Sequence, residues 1–321
     1  MLAFVVRRIL WTIPILFVVV TVAFFMMRSI GGDPFRAGPV VGLGNPAWSK
    51  VNDRPPDSIR SNLERKYGLD LPWYEQYANY LQGVATLDLG PSLAYRERSV
   101  REIIRELAPR SLELGFLAVC WMIVVGVPVG IVSALRADSR FDGAARIGTA
   151  LAIAIPNFAV ATFLIYVFAL QLDLVPTSGW EGWRSKVLPS ITLALLPAAF
   201  TARLIRAAML ETLREDYVLA ARAKGLRHRT VVARHVVRNS LGPALNNAGP
   251  AIAFLLTGTF VVEEVFAIPG IGRFYVVAAL ARDYTLLLGL TVFFAVFVVL
   301  ANLIVDVAQA LFDPRFRSRT A

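Results

Sequence analysis

At 321 residues, 56% hydrophobic and with a mean hydropathy of +0.59, the chain is far more apolar than a soluble domain of its length. It is an integral membrane protein. A net charge of +10 would suit a nucleic-acid binder only on a basic soluble domain, and the sequence has none, so no nucleic-acid partner is expected. The single cysteine, Cys120, lies in an apolar run, which excludes an internal disulfide and a cysteine metal cluster.

Arg7 and Arg8 precede an apolar run from Ile9 to Met27, about the twenty residues that a bilayer core requires. A cleaved signal peptide is the competing reading. The run is longer than a usual signal core, and no small-x-small cleavage site follows it. The paired arginines predict a cytoplasmic N-terminus. Residues 31–107 then form a polar segment, beginning GGDP, that the charge balance permits outside the membrane. Helical spacing of Ile59, Leu63 and Tyr67, then of Tyr74, Tyr77 and Leu81, predicts a small helical subdomain. Trp73, Tyr74, Tyr77, Tyr80 and Tyr95 either touch a partner, line an entrance, make the subdomain's own core or rest at the membrane interface.

A second span is expected over residues 112–135, interrupted by Gly126, Pro128 and Gly130, and a basic turn with Arg136, Arg140 and Arg146 follows. The third span covers about 147–170 around Pro156. Residues 173–186, with Trp180 and Trp183, make an outside loop, and the fourth span is 188–205 with Pro189 and Pro197. A fifth span at 245–262 leads to a second outside stretch, VEEVFAIPGIGRFYVVAALARDY, in which Pro269 to Gly272 reads as a tight turn. The sixth span, 285–311, ends in FDPRFR, where Arg315, Arg317 and Arg319 predict a cytoplasmic C-terminus. Every short loop dense in arginine thus falls on one side of the bilayer. The fold class is an all-α integral membrane protein of six transmembrane helices with a small external subdomain after the first. Its parts are residues 1–30, 31–107 and a five-helix core, 108–321, carrying a cytoplasmic loop at 209–243.

That loop, between the fourth and fifth spans, is the most informative stretch. Thr212 and Glu215 have capping-box spacing, and the run from Asp216 to Lys224 is rich in helix formers. Gly225 follows where a left-handed cap is easiest, so a helix is predicted to stop there. Val231, Val232, His235 and Val236, beside Arg227, Arg229, Arg234 and Arg238, suggest a second short amphipathic helix. Ala220, Ala221 and Ala223 would let another backbone come close, and Tyr217 and Leu219 could fill an apolar groove. The composition is equally consistent with a basic loop that fixes topology and touches anionic head groups.

The sequence has no G-x-x-x-x-G-K-[ST] loop, so nucleotide is not held here in the P-loop manner. His228 and His235, the only histidines, sit among arginines, and no H-E-x-x-H or G-x-S-x-G pattern occurs. No catalytic or metal site is expected. Glu113, Glu263, Glu264 and Asp306 fall near span ends, where structural roles suffice, and Arg203 and Arg206 lie near the inner end of the fourth span.

Ala220 and Ala221, with Gly225 four residues after the second, resemble the signature loop of ABC-importer permeases. DYVLAARAKGL and RHVVRNSLGP are similar to the dipeptide and oligopeptide branch of that family. So are Glu263, Pro269, Gly270, Gly272, Arg282, Asp283 and Tyr284 in the second outside stretch, and Asp313, Pro314 and Arg315 at the end. Leu219 stands where an acidic residue often precedes the alanines, and Gly242 where a branched residue is more usual. The resemblance implies a type I importer permease of the cytoplasmic (inner) membrane, working by alternating access. Its ATPase-coupling residues would be Glu215, Asp216, Tyr217, Ala220, Ala221, Ala223, Lys224 and Gly225, and its external-loop set Glu263, Pro269, Gly270 and Gly272. Implied partners are a second homologous permease, two ATPase subunits that hold the ATP and magnesium, and an external solute-binding protein that hands over a peptide. No cofactor is assigned to this chain. Nickel chelates or oligosaccharides remain as alternative cargo, and a stand-alone carrier or channel as the alternative mechanism. Uniformly apolar helices give no periodicity from which pathway residues can be picked.

Overall fold

Prolines and small residues decide where the apolar runs bend and where they touch. The computed structural model describes residues 2–30, 61–62, 64–65, 67–95, 98–257 and 259–312. The GGDP stretch, Ile59, Leu63 and the terminal Asp313, Pro314, Arg315, Arg317 and Arg319 lie outside the described residues. In chain order come α1 (Leu2–Ile30), α2 (Trp73–Thr86), α3 (Val100–Trp121), α4 (Val127–Leu135), α5 (Arg140–Ala154) and α6 (Asn157–Leu164). They are followed by α7 (Arg184–Thr212), α8 (Asp216–Ala223), α9 (His228–Val231), α10 (Arg238–Thr257), α11 (Thr259–Val265), α12 (Ile271–Leu280) and α13 (Tyr284–Phe312). Wide π-turns join α3 to α4 (Met122–Gly126) and α9 to α10 (Val232–Val237), and a third extends α6 (Ile165–Gln171). Among the described residues five helical runs are long and apolar enough to cross a membrane, or six if α5 and α6 count as one span.

Two expected spans change shape. The second begins at Val100, not near Leu112, because Ser99 and Glu102 form a reciprocal cap: each backbone N–H meets the other's side-chain oxygen, at 3.0 and 3.2 Å. The third is not one rod. Ile155 is pushed into extended conformation (φ −87°, ψ 127°) by the following Pro156, and α5 and α6 meet at 110°.

The contacts divide the chain into two compact units, the first comprising Met1–Arg8, Leu112–Ile268 and Val298–Ala321. Its centre is the packing of α4 on α7. A Cβ added at Gly126 would lie 2.8 Å from the Ala198 carbonyl oxygen, and one at Gly130 would lie 2.6 Å from that of Ala202. Gly126 and Gly130 are therefore a close-contact pair of the small-xxx-small kind rather than mere interruptions. Asp142, fully buried, stands beside this contact. Ser139 caps α5 by accepting the Asp142 N–H, while the Asp142 carboxylate accepts two hydrogen bonds from Arg206 of α7, at 2.6 and 2.7 Å. Ser133 of α4 and the Asp138 N–H complete its shell. One carboxylate thus ties α4, α5 and α7. Elsewhere in this unit Arg8 pairs with Asp306, and Glu113 takes Lys186 and the Trp180 indole N–H.

The second unit comprises Ile9–Ser111 and Pro269–Phe297. Here Tyr77 and Tyr80 of α2 pack on Phe24 of α1 with ring centroids 5.3 and 5.8 Å apart, while Trp73 meets Phe25 with both side chains exposed. Asp283, also fully buried, accepts the Ser92 and Thr285 hydroxyls and the N–H groups of Ala94 and Leu286. Tyr95 stacks near Phe274, and burial reinforced by the Asp283 charge pushes its phenol up to about 12.

Gly130→Val is expected to destabilise the purified protein by about 1–3 kcal/mol in thermal unfolding, because backbone blocks the new side chain. Gly143→Ala, where nothing lies within 4 Å, should be neutral or slightly stabilising. Asp142→Ala, which strands Arg206 with a side chain only 22% exposed, should lose about 3 kcal/mol or more. The double replacement Asp142→Leu with Arg206→Met should recover much of that loss in the same assay.

Candidate functional site

Helix α7 does not end near Ile205 as expected but runs to Thr212, because Ile205, Met209 and Leu210 continue its apolar face into a cluster with Val218, Ala221, Val231, Val232 and Val236. The expected capping box is therefore absent. Thr212 is the last residue of α7, and its hydroxyl accepts the Ser240 O–H at 3.1 Å. Leu213 and Arg214 make the corner. The chain restarts at Glu215 (φ −69°, ψ 141°), whose carbonyl accepts the Val218 N–H at 3.0 Å while its side chain caps nothing.

From there α8 is a two-turn amphipathic helix. Val218 and Ala221 point into the cluster and are buried. Asp216, Tyr217, Leu219, Ala220, Ala223 and Lys224 are exposed. Ala220 and Ala223 therefore carry the small-residue surface, and Ala221, expected beside them, is a packing residue. Asp216 sits in the first turn and Arg222 in the last, each at the favourable pole of the helix dipole.

Gly225 ends the helix as the sequence predicts. Its φ of +77° is left-handed, its N–H bonds the Arg222 carbonyl at 3.0 Å, and the Leu226 N–H reaches back to Ala221 at 3.4 Å. This is a Schellman cap, and nothing but backbone strain opposes a side chain there.

The second short helix is not separate. α9 continues through a π-turn into α10, and the wide turn explains the valine spacing. Val231 and Val236, five residues apart, are both fully buried, which a π-turn places on one face and an α-turn does not. Arg227, Arg229, Arg234 and Arg238 remain exposed. At the α7–α8 corner an open recess of about 590 Å³ is lined by Leu210, Glu211, Arg214, Glu215 and Asp216. Three carboxylates against one guanidinium make it acidic. Beside it stand exposed Tyr217, whose hydroxyl accepts from Asn239 at 2.7 Å, and Leu219. The corner thus offers small, apolar and acidic groups above a buried apolar cluster.

The second predicted set divides. Glu263 is wholly buried in α11, and its carbonyl accepts the Ile268 N–H at 2.8 Å. The tight turn expected at Pro269 to Gly272 falls earlier, where Ala267 takes the left-handed conformation (φ +50°). Pro269 instead leads into α12. Gly270 is the N-cap residue in extended conformation, Gly272 is buried in the first turn, and the Ile271 N–H bonds the Ser111 hydroxyl at 2.8 Å. Pro269, Gly270 and Gly272 thus shape the entry into α12, while Glu263 is a buried carboxylate of α11. Asp142, Arg206 and Asp283 have larger structural roles than composition suggested; the S-x-x-D spacing of Ser139 and Asp142 was the legible sign of the first.

The model of the family described as "binding-protein-dependent transport system inner membrane component" matches residues 126–318. The oligopeptide transport system permease protein OppB of Haemophilus influenzae is 35% identical over 319 residues, 99% of this chain and 100% of that one. OppB of Salmonella typhimurium is 37% identical over the same share, and the dipeptide transport system permease protein DppB of Bacillus subtilis is 37% identical over 94% of this chain and 93% of its own. Among solved structures, two inward-facing crystal forms of the MetNI methionine ABC transporter share the fold, with TM-scores of 0.54 and 0.55 at 18% and 17% identity. Each covers 66% of this chain and 96% of the solved one. With the family's model covering most of the helical core and full-length relatives above one third identity, the chain belongs to the inner-membrane components of binding-protein-dependent transport systems.

Proposed function

We propose that this chain is one of two permease subunits of an ATP-driven importer of peptides, and that α8 is where it takes its power stroke. The exposed Ala220 and Ala223, held on a buried floor of Val218 and Ala221, carry this reading. A docked helix can transmit force only if it cannot slide on its own protein, and the Schellman cap and the shared cluster with α7 and the α9–α10 run prevent that. The full-length relatives named as oligopeptide and dipeptide permeases support peptide as cargo.

In the proposed assembly a second homologous permease completes the membrane pathway, two ATPase subunits bind ATP and magnesium, and an external solute-binding protein delivers the peptide. Both termini and α8 face the cytoplasm, consistent with the arginine-dense short loops. Closure of the ATPase pair on ATP pulls the two α8 helices together, and α7, rigidly continuous with the corner, carries that motion into the membrane. Hydrolysis resets it. The acidic recess of Glu211, Glu215 and Asp216 suits a basic side chain on the ATPase surface. Of the external-loop residues, Pro269, Gly270 and Gly272 act here by shaping the entry into α12, and Glu263 as a buried carboxylate of α11.

Two tryptophan replacements separate docking from packing. Ala220→Trp, on the exposed face, should leave insertion and thermal stability within about 0.5 kcal/mol yet lower ATP-driven peptide uptake by at least about tenfold. Ala221→Trp should instead lower thermal stability by about 1–3 kcal/mol, because the cluster has no room for it. Normal uptake by the Ala220→Trp transporter in proteoliposomes would defeat the docking assignment.

A further inference from the structure

The second unit contains a cavity of about 490 Å³, a volume typical of small-molecule sites, that the proposed transport cycle leaves unused. Phe24, Met27 and Arg28 line it from the C-terminal end of α1, and Thr285 and Leu288 from the N-terminal end of α13. Both helices are long and apolar enough to cross a membrane, so their ends set the cavity where hydrocarbon meets head groups. Helix α2 closes a third side. Hydrogen bonds brace the walls: the Gln76 carboxamide donates to the Leu69 and Leu71 carbonyls at 3.2 and 2.7 Å, and the Thr285 hydroxyl to the Pro91 carbonyl at 2.9 Å. The space is held open by its own walls.

Its lining carries polar groups that the chain itself does not satisfy. The Tyr80 hydroxyl is buried without a hydrogen-bond partner among the described residues. Burial, and then Tyr77, push its phenol well above the usual range, so it remains a donor. Arg28 donates to the Gln76 carboxamide at 3.2 Å, Asp88 accepts the Gly90 N–H at 3.3 Å, and neither has an oppositely charged partner among the described residues. Gln76, Tyr80 and Gly83 follow one another along one face of α2. Arg28 bonds the first of them, and the Asp88 carbonyl oxygen lies 2.5 Å from where a Cβ on Gly83 would sit. The two opposite charges thus stand about two helical turns apart, about 10 Å, with Tyr80 between them.

We propose that this cavity binds the phosphoethanolamine head group of a phospholipid. Arg28 takes the phosphate, Asp88 takes the ammonium, and the Tyr80 hydroxyl donates to a phosphate oxygen. A phosphoethanolamine with a charge-assisted hydrogen bond at each end fills the gap between the two charges. Phe24, Met27 and Leu288 receive the first carbons of the acyl chains. Glu64 also lines the cavity, so carboxylates outnumber the guanidinium and a purely anionic head group is disfavoured. A choline ammonium has no N–H to give to Asp88. A free dipeptide carries the same pair of charges, but the apolar residues at the helix ends favour the lipid over it. Seated there, the head group bridges α1, α2 and α13, on the outer side of the bilayer in the orientation proposed above. The assignment is independent of the cargo.

The test uses the full chain, purified with the subunits that accompany it. Native mass spectrometry, with one dioleoyl phospholipid added to the delipidated protein, should show phosphatidylethanolamine bound at least about tenfold more tightly than phosphatidylcholine or phosphatidylglycerol. Asp88→Asn should weaken the ethanolamine lipid about tenfold and abolish that preference, and Arg28→Gln should weaken all three lipids. Tyr80→Phe keeps the ring and should cost about threefold. Arg28 and Asp88 are exposed, so their variants should fold. In a Cys120→Ala background, Asn79→Cys at the cavity should react with a water-soluble maleimide more slowly in nanodiscs containing phosphatidylethanolamine than in phosphatidylcholine alone. Binding unchanged by Asp88→Asn, or labelling indifferent to the lipid, would overturn the assignment. So would protection of Asn79→Cys by dialanine in nanodiscs lacking the ethanolamine lipid, since that outcome makes the cavity a cargo site.

Discussion

Backbone touches backbone where Gly126, the last residue of the π-turn, and Gly130 of α4 meet Ala198 and Ala202 of α7, and the first unit is built outward from that contact. In a membrane the hydrophobic effect does not drive helices together, so close approach of small residues and internal pairing of polar groups must do it. Both devices are present within a few residues. The glycines bring α4 and α7 within reach, and Asp142 then binds Ser133, Arg206 and its own helix cap at the same junction. A charge buried without water is tolerable here only because every side of the carboxylate is occupied.

These contacts converge on one helix. Helix α7 carries the Gly126–Gly130 contact, the Arg206 partner, the exposed Arg203 and, at its end, the corner that presents α8. The corner is braced from below by Val218, Ala221, Val231, Val232 and Val236, so the small helix has a buried side and an outward side with little freedom between them. The π-turn at Val232–Val237 is part of this bracing: it lets Val231 and Val236 seat together while the arginines stay outside.

Much of this was legible in the sequence. The apolar runs located the helices, and Gly225 marked the end of α8. What stayed hidden had physical reasons. A capping box is a local signal, and it was overruled at Thr212, where Leu210 and Met209 keep α7 helical, yet it operates at Ser99 and Glu102, where no packing competes. Gly126 and Gly130 read as breaks because a glycine that admits a neighbouring helix looks, in one dimension, like one that weakens its own. Asp142 sits in a basic turn where its spacing from Ser139 marks a helix cap, but its ion pair is hidden because Arg206 lies sixty-four positions away. The two alanines looked equivalent, and only the direction of the helix distinguishes Ala220, outside, from Ala221, beneath.

In the proposed assembly an ATPase covers the outward side of α8. Cysteine accessibility measures this most directly, with Ala220→Cys in a Cys120→Ala background exposed to a membrane-impermeant thiol reagent on the α8 side. The account requires rapid labelling of the permease without its ATPases and at least about tenfold slower labelling in the assembled complex. Equal labelling rates in a complex that is actively importing would contradict it.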